Sequence, residues 1–380
     1  MAAGSPYYTA EHEAFRATIR RFVEKEIEPY AAAWDEAESF PRALYEKAAA
    51  VGLLALGFPE EYGGVESDCF YGIIAAQELA RAGAGGIAAS LQSHTIGAPP
   101  IAFAGTAALK ARLLPEILAG RKISALAITE PGGGSDVANL ATTARREGEH
   151  YVVNGSKAFI TSGMRADYYT VAVRTGGPGR SGVSLLVIDC DTPGFTRTPL
   201  KKMGWWASDT AMLYFDDCRV PAGNLLGEEN QGFRLIMRNF NRERLGMAAG
   251  ATGYARVCFD EAVAYARERR TFGHPLIEHQ VIRHKLVDMA MRVHATQAYL
   301  ESTAWRVDQG DNPVADICML KNQATLAMEF CAREAVQIFG GAGFMRGPKV
   351  ERIYREVRVN AIGGGAEEIM RDLAARQLGF

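Results

Sequence analysis

The hydrophobic periodicity of this 380-residue chain changes twice, near residues 122 and 231. In the first third, apolar residues such as Ile19, Phe22 and Val23 recur at the three- and four-residue spacing of amphipathic helices. The middle third consists of short β-branched or aromatic segments separated by turns, and long helical patterns follow, centred near residues 250, 290, 325 and 370. The sequence therefore predicts three domains, over residues 1–122, 123–231 and 232–380.

The middle third predicts an antiparallel sheet. Its strand-like segments have no long helical pattern between them, which favours a barrel or sandwich. A doubly wound dinucleotide-binding sheet requires strand–helix alternation and a G-x-G-x-x-G sequence, and this third has neither. The predicted class is α+β, with an all-α N-terminal domain, a middle β-barrel or sandwich and a C-terminal four-helix bundle. The predicted strands are Tyr151–Asn154, Tyr168–Val173, Val183–Ile188 and Ala211–Phe215.

Composition and charge exclude several classes of partner. The formal net charge of −2 offers no positive surface for nucleic acid or an acidic membrane. Although 48% of residues are hydrophobic, no uninterrupted run approaches the roughly 18 residues of a membrane-spanning helix. The N-terminus, M-A-A-G-S-P-Y-Y-T, lacks the regions of a secretory signal. We expect a cytoplasmic protein, or a mitochondrial matrix protein if it is a processed eukaryotic form.

The cysteines and histidines predict no metal site. The six cysteines show no C-x-x-C spacing, so reduced and mostly buried thiols are expected. Four histidines fall close together in the chain but without the i, i+4 spacing of a helical metal site. They are His274, His279, His284 and His294.

Two segments of the middle third together resemble a flavin pocket. Thr129–Asp136 reads T-E-P-G-G-G-S-D, and its consecutive glycines let backbone N–H groups turn inward to cradle an anion. Asn154–Thr161 reads N-G-S-K-A-F-I-T, where Phe159 can lie against a ring system and Thr161 presents a hydroxyl to the same face. Taken singly, each segment is equally typical of a glycine turn or a β-hairpin.

Further segments, in the same order along the chain, make it similar to the acyl-CoA dehydrogenase family over nearly its whole length. The resemblance implies FAD as cofactor, an acyl-CoA substrate, a homotetramer and an electron-transfer flavoprotein as electron acceptor. The segments are R-E-R-R-T-F-G from Arg267, E-H-Q from Glu278, Q-I-F-G-G-A-G-F from Gln337 and G-G-G-A-E-E-I-M-R from Gly363.

The resemblance also implies which residues bind FAD, and it places some of them in a neighbouring subunit. From the residues alone, Arg269 is more typical of a solvated charge at a helix end than of a ligand. Gln337 is typical of a helix ended by a glycine cap, which is compatible with cofactor binding. The implied cofactor residues are Leu126, Ile128, Thr129, Gly134, Ser135, Phe159, Ile160, Thr161, Arg269, Thr271, Phe272, Gln280, Gln337, Gly340, Gly341, Ala366 and Glu368.

One departure from the commoner family pattern locates the catalytic base. Many members read I-Y-E-G-T where this chain reads I-G-G-G-A, which places Gly364 at the position of their glutamate. A smaller branch, which includes isovaleryl-CoA and long-chain acyl-CoA dehydrogenases, carries the base on the first bundle helix before an arginine. The matching residue here is Glu243, followed by Arg244 as an organiser. The residues implied at the substrate are Ser135, Asn241, Arg244, Gly364 and Gly365.

The implied reaction is α,β-dehydrogenation of an acyl-CoA thioester to the trans-2-enoyl-CoA. Glu243 removes the α-proton, the N–H of Gly364 polarises the thioester carbonyl, and the β-hydrogen leaves as hydride to flavin N5. Medium to long or methyl-branched acyl groups, including citronellyl-CoA, are the expected substrates. Alternatives are an acyl-CoA oxidase, a flavin monooxygenase, or a CoA-ester binding protein without chemistry.

Overall fold

The computed structural model describes residues 5–380, and its first third is helical. Side chains set several helix starts: the hydroxyl of Thr9 accepts the N–H of His12, and the Asp68 carboxylate accepts those of Phe70 and Tyr71. The helices are α1 Ala10–Glu26, α2 Ala31–Glu36, α3 Ala43–Ala50, α4 Cys69–Ala80, α5 Gly85–Gln92, α6 His94–Gly97, α7 Pro99–Ala104 and α8 Ala107–Leu118.

The middle third forms a sheet in the order β6-β7-β3-β2-β4-β5-β8, with β1 beside β4. The four predicted strands lie within β3, β4, β5 and β7, and they pair antiparallel as predicted, β3 with β7 and β4 with β5. The sheet also contains parallel contacts, which the sequence did not predict. β4 pairs in parallel with β1 and, at one position, with β2, because the long connections from these strands to β4 allow a parallel approach. The strands are β1 Ser124–Ala127, β2 Thr143–Glu147, β3 His150–Thr161, β4 Tyr168–Arg174, β5 Val183–Asp189, β6 Phe195–Pro199, β7 Thr210–Pro221 and β8 Leu225–Leu226.

The last third is a helical bundle built on α9, whose 37 residues extend over about 55 Å. The fourth predicted helical pattern, centred near residue 370, corresponds to α14, and α13, which was not predicted, precedes it across the glycines at 363–365. The elements are α9 Gly232–Glu268, β9 Arg270–Thr271, β10 His274–Pro275, α10 Gln280–Asp308, α11 Val314–Phe339, α12 Gly341–Phe344, α13 Lys349–Ile362 and α14 Glu367–Leu378.

The main apolar clusters join neighbouring parts of the fold. One packs α1, α3 and α5 on the sheet. A second packs α7, α8 and the start of α9 against strands β4, β5 and β8. A third combines α4 with the bundle. The predicted α+β class, a sheet between two helical parts, is confirmed. Over residues 5–380, none of the helices combines the length and the apolar character needed to cross a membrane.

Candidate active site

A cavity of about 1710 Å³ lies where the sheet meets both helical parts. Its walls come from α4, α5, the loop after β1, the end of β3, α9 and the loop between α13 and α14. Of the residues predicted from the sequence, those that line it are Leu126, Ile128, Thr129, Gly134, Ser135, Phe159, Ile160, Thr161, Glu243, Arg244, Gly364, Gly365 and Ala366.

The loop after β1 turns its glycines toward open space. Glu130 and Gly133 exchange backbone hydrogen bonds of 3.2 and 3.1 Å, which closes a tight turn. A side chain added at Gly132 or Gly133 would meet no atom within 4 Å. The turn is therefore open to a bound group on the cavity side, as an anion cradle requires.

A buried ion pair, which the sequence analysis missed, joins the two flavin-pocket segments. The Lys157 ammonium is fully buried and donates to Glu130 Oε1 at 2.8 Å and to the Ile128 carbonyl at 3.0 Å. Burial lowers the pKa of Lys157 to about 8. Burial opposes charge on Glu130 as well, but Lys157 and the N–H groups of Ala141 and Thr142 hold the pKa of that carboxyl below its usual value. Both groups are thus charged at neutral pH.

Phe159 presents an uncovered aromatic face to the cavity. Its side chain is 68% exposed and its backbone is left-handed, with φ of 61°. The pairing of β3 with β7 is irregular between Lys157 and Ile160, so Phe159 lies in a bulge and not in the regular extended segment predicted. An exposed aromatic face beside an open glycine turn fits the ring system and pyrophosphate of FAD.

Glu243 lies on α9 with its carboxylate turned inward. The residue is half-buried overall, but its Oε2 is shielded from solvent and has no hydrogen-bond partner among residues 5–380. Burial raises the pKa of Glu243 to about 7, against the opposing charges of Arg244 and Lys321. A carboxyl with this pKa can accept a proton near neutral pH.

Two cations hold the glycine loop opposite Glu243. Arg244 Nε donates to the Gly364 carbonyl at 3.0 Å, and Lys321 Nζ donates to the Gly365 carbonyl at 2.8 Å. Lys321 is only 1% exposed, and burial lowers its pKa to about 8. The sequence analysis missed Lys321, although its helical neighbours Ile317 and Ala324 are apolar and buried.

Gly364 has no room for a side chain. Its φ of 64° is left-handed, and an added Cβ would lie 2.4 Å from Met247 Sδ and 4.0 Å from Glu243 Oε1. No acceptor within the described part of the chain takes its N–H. Since Arg244 and Lys321 fix the neighbouring carbonyls, this N–H stays available to a ligand oxygen.

Apart from Ala366, the predicted cofactor residues of the bundle lie away from this cavity. Tyr265 and Phe339 stack with ring centroids 4.2 Å apart, which brings the ends of α9 and α11 together on the surface. Phe272 there is 94% exposed. Asn241 also lies off the cavity and accepts a hydrogen bond from Arg244. The predicted residues that do not line the cavity are Asn241, Arg269, Thr271, Phe272, Gln280, Gln337, Gly340, Gly341 and Glu368.

Among curated proteins, relatives match nearly the whole chain. The cyclohexane-1-carbonyl-CoA dehydrogenase of Geobacter metallireducens is 39% identical, over 95% of this chain and 95% of its own. The long-chain specific acyl-CoA dehydrogenase of Rattus norvegicus mitochondria is 36% identical, over 98% of this chain and 87% of its own.

Solved structures match equally widely. A probable acyl CoA dehydrogenase from Mycobacterium abscessus has a TM-score of 0.96 at 49% identity and covers 98% of this chain and 100% of its own. A structure of the electron transferring flavoprotein of Acidaminococcus fermentans scores 0.94 at 33% identity, with 98% of each chain covered. A glutaryl-CoA dehydrogenase from Mycobacterium smegmatis in complex with FADH2 scores 0.93 at 26% identity and covers 98% of this chain and 95% of its own.

Family models describe the whole architecture. The N-terminal, middle and C-terminal domains of acyl-CoA dehydrogenase match residues 9–121, 125–218 and 230–379. With the flavin-pocket segments and an inward-facing carboxylate in one cavity, the chain belongs to the acyl-CoA dehydrogenase family of FAD-dependent oxidoreductases.

Proposed function

We propose that this enzyme dehydrogenates an acyl-CoA thioester to the trans-2-enoyl-CoA with Glu243 as the α-proton base. The observation that carries the proposal is the shielded, unpartnered Oε2 of Glu243, opposite a glycine with a free N–H. An unpartnered buried carboxylate oxygen costs stability, which a proton-accepting role explains.

The chain's own residues supply the acid–base part of the reaction. A thioester α-proton is too weakly acidic for a free carboxylate, so the N–H of Gly364 must polarise the carbonyl while Glu243 takes the proton. Arg244 keeps the loop in place through the Gly364 carbonyl. Thr129, Ser135, Phe159 and Thr161 would hold FAD, which would supply the acceptor for the hydride that leaves the β-carbon.

Replacing Glu243 by glutamine tests the role of the base. Glu243→Gln keeps shape and hydrogen bonding but cannot accept the proton, so we expect turnover to fall by about two to four orders of magnitude. FAD content and acyl-CoA binding should remain. Glu261→Gln, on the same helix but outside the cavity, is the matched control. Turnover within a few-fold of the parent would place the base elsewhere.

We infer medium to long or methyl-branched acyl groups as substrates. In the small-residue segment around Gly85–Gly97, Ala88 and Ala89 line the cavity, which supports a deep pocket. The same segment also packs closely elsewhere, since a Cβ at Gly86 would lie 3.0 Å from the Trp205 backbone. A panel of acyl-CoAs assayed by flavin bleaching identifies which acyl chain lengths and branching patterns the enzyme accepts.

An electron-transfer flavoprotein is the proposed electron acceptor, as the family resemblance implies, and a structure that carries such a flavoprotein's name is similar to this chain. The alternatives of an oxidase or flavin monooxygenase predict rapid reaction of the reduced enzyme with oxygen. Oxygen consumption that keeps pace with enoyl-CoA formation would favour them. Absence of bleaching by every acyl-CoA would favour a binding protein without chemistry.

We propose a homotetramer in which the bundle of one subunit completes the FAD site of another. Support comes from Phe272, which follows α9 and is 94% exposed, so that its ring is open to contact with another subunit. Arg269 can then neutralise a pyrophosphate of the adjacent cofactor. Arg269→Ala should lose FAD while the isolated subunit stays folded, measured by bound flavin and light scattering. Full FAD retention in a monomer would contradict this arrangement.

A further inference from the structure

The cavity continues along α9 far beyond the proposed base. Gly246, Gly250 and Tyr254 follow Glu243 at helical spacing, and all of them line the cavity. A side chain added at Gly246 or Gly250 would meet no atom within 4 Å. Across the channel, Gly72 of α4 is equally open. About three helical turns, or roughly 16 Å, separate Glu243 from Tyr254.

Tyr254 ends this channel with an unused hydroxyl. The residue is only 6% exposed and lines the cavity, and within residues 5–380 its hydroxyl takes part in no side-chain hydrogen bond. Buried tyrosine hydroxyls normally find a partner. Tyr254 belongs to an apolar cluster in which members such as Phe70 and Ile73 offer no polar side-chain atom. The hydroxyl is therefore positioned for a group that enters through the cavity.

Other groups make the far end polar but leave no acceptor for this hydroxyl. Glu356 is 1% exposed, and its carboxyl oxygens accept the N–H groups of Gly85 at 2.8 Å and Trp205 at 3.3 Å. Burial raises the pKa of Glu356 to about 8. The Trp205 indole Nε1 is also buried without an acceptor among residues 5–380. Among residues 5–380, the lining thus carries two donors without acceptors, the Tyr254 hydroxyl and the Trp205 indole N–H, near the buried Glu356 carboxyl.

We propose that Tyr254 is the distal recognition residue of the acyl channel and hydrogen-bonds a neutral oxygen, a hydroxyl or keto group, on the substrate's acyl chain. This inference rests on the dehydrogenase function proposed above and narrows its substrate class. A saturated chain reaching Tyr254 leaves its hydroxyl unpaired, whereas an oxygenated chain satisfies it.

Two thioesters of equal chain length test the proposal: a saturated acyl-CoA and one with a hydroxyl near its far end. We expect the parent enzyme to favour the hydroxylated thioester by about tenfold in kcat/KM, the worth of one hydrogen bond. Tyr254→Phe keeps the ring and should abolish that preference with little change for the saturated chain. Tyr265→Phe, on the same helix but outside the cavity, should keep the preference.

The path of the acyl chain is tested separately with Gly250→Leu, which adds a side chain to the channel between Glu243 and Tyr254 at a position where a Cβ meets no atom within 4 Å. Long thioesters should bind at least tenfold more weakly, whereas butyryl-CoA should bind as to the parent. Unchanged binding of long chains would overturn the inference.

Binding to the Glu243→Gln variant separates this inference from the proposed reaction. Calorimetric titration of both thioesters reports recognition without turnover. Equal affinities, unaffected by Tyr254→Phe, would overturn the role of Tyr254 while leaving the dehydrogenase proposal intact. If the preference is present but no acyl-CoA bleaches the flavin, recognition stands and the proposed reaction fails.

Discussion

Burial at Glu243 opposes the charge that a base must carry. The carboxylate gains reactivity because water does not solvate it, and Arg244 and Lys321 limit the rise in its pKa. Neither cation donates a hydrogen bond to Glu243 itself, since both donate to loop carbonyls. The site thus keeps positive charge near the base, while neither cation occupies the lone pairs of the Glu243 carboxylate with a hydrogen bond.

The pH dependence of turnover follows from this arrangement. Since the pKa of Glu243 is about 7, we expect kcat/KM to rise with pH and to reach half its maximum near pH 7 in the free enzyme. Lys321→Met removes a nearby positive charge and should move this midpoint upward, whereas Lys321→Arg should move it less. Stopped-flow bleaching across pH 5.5 to 9 measures both. A midpoint that does not move would mean that the charge of Lys321 does not affect the pKa of Glu243.

The same pKa shift predicts a stability gain in the inactive variant. The folded-state pKa of Glu243 is raised from 4.5 to about 7, so the stability due to its protonated form is full below pH 4.5 and is lost as pH rises through 7. Glu243→Gln should therefore be more stable than the parent by up to about 3 kcal/mol at pH 8.5 and nearly equal at pH 4. Chemical denaturation at both pH values measures the difference. A variant less stable at pH 8.5 would contradict it.

Sequence reasoning reached some of these residues and missed others for physical reasons. Glu243 could be predicted because both Glu243 and Gly364 depart from the commoner pattern of the family that this sequence resembles. Lys321 could not, because a lysine in a helix is normally exposed. The apolar residues Ile317, Leu320 and Ala324 around it were the available signal.

At the scale of elements, the glycine turn after β1 and the bulged end of β3 are linked by Lys157 and Glu130. The pair explains why the two segments act as one unit. Lys157 and Glu130 are 27 residues apart in the sequence, so no local pattern predicts that they form a pair.

A double-mutant cycle measures this link. Lys157→Met leaves the Glu130 carboxylate buried without its cation and should cost about 3–5 kcal/mol of unfolding free energy and part of the bound FAD. The double variant with Glu130→Gln should recover much of the loss, since no uncompensated charge remains. Urea unfolding and flavin content report on both. Additive losses would mean that the pair is not coupled.

The loop between α13 and α14 limits how well a glutamate base would fit at position 364, where the commoner family members carry it. In the double variant Glu243→Gly with Gly364→Glu, the Cβ of the new glutamate would lie 2.4 Å from Met247 Sδ. The backbone at this position is also left-handed, which strains any residue other than glycine. We expect partial activity with altered chain-length preference, and more activity when Met247→Ala is added to make room. Initial rates over an acyl-CoA panel compare the double and triple variants. No gain from Met247→Ala would mean that backbone strain is the limiting factor.

For the whole molecule, periodicity predicted the order of helical and β parts, because the 3.6- and 2-residue repeats are local properties. The proposed domain limits at residues 122 and 231 fall between α8 and β1 and between β8 and α9. The parallel partners of β4 were not predictable in this way, since pairing between distant segments leaves no local repeat. Nor can one chain place Arg269 or Gln337 at a cofactor, because both lie on its outer surface.

The length of α9 connects two reaction centres. Glu243 lies near one end of this 37-residue helix, and the chain leaves the other end at Arg269. Under the proposed assembly, a single rigid rod therefore carries the proton acceptor of its own subunit and a cofactor contact of the neighbour. Separating subunits removes that contact from both partners at once. On dilution, activity and retained flavin should decline in parallel, with subunit dissociation as the common step.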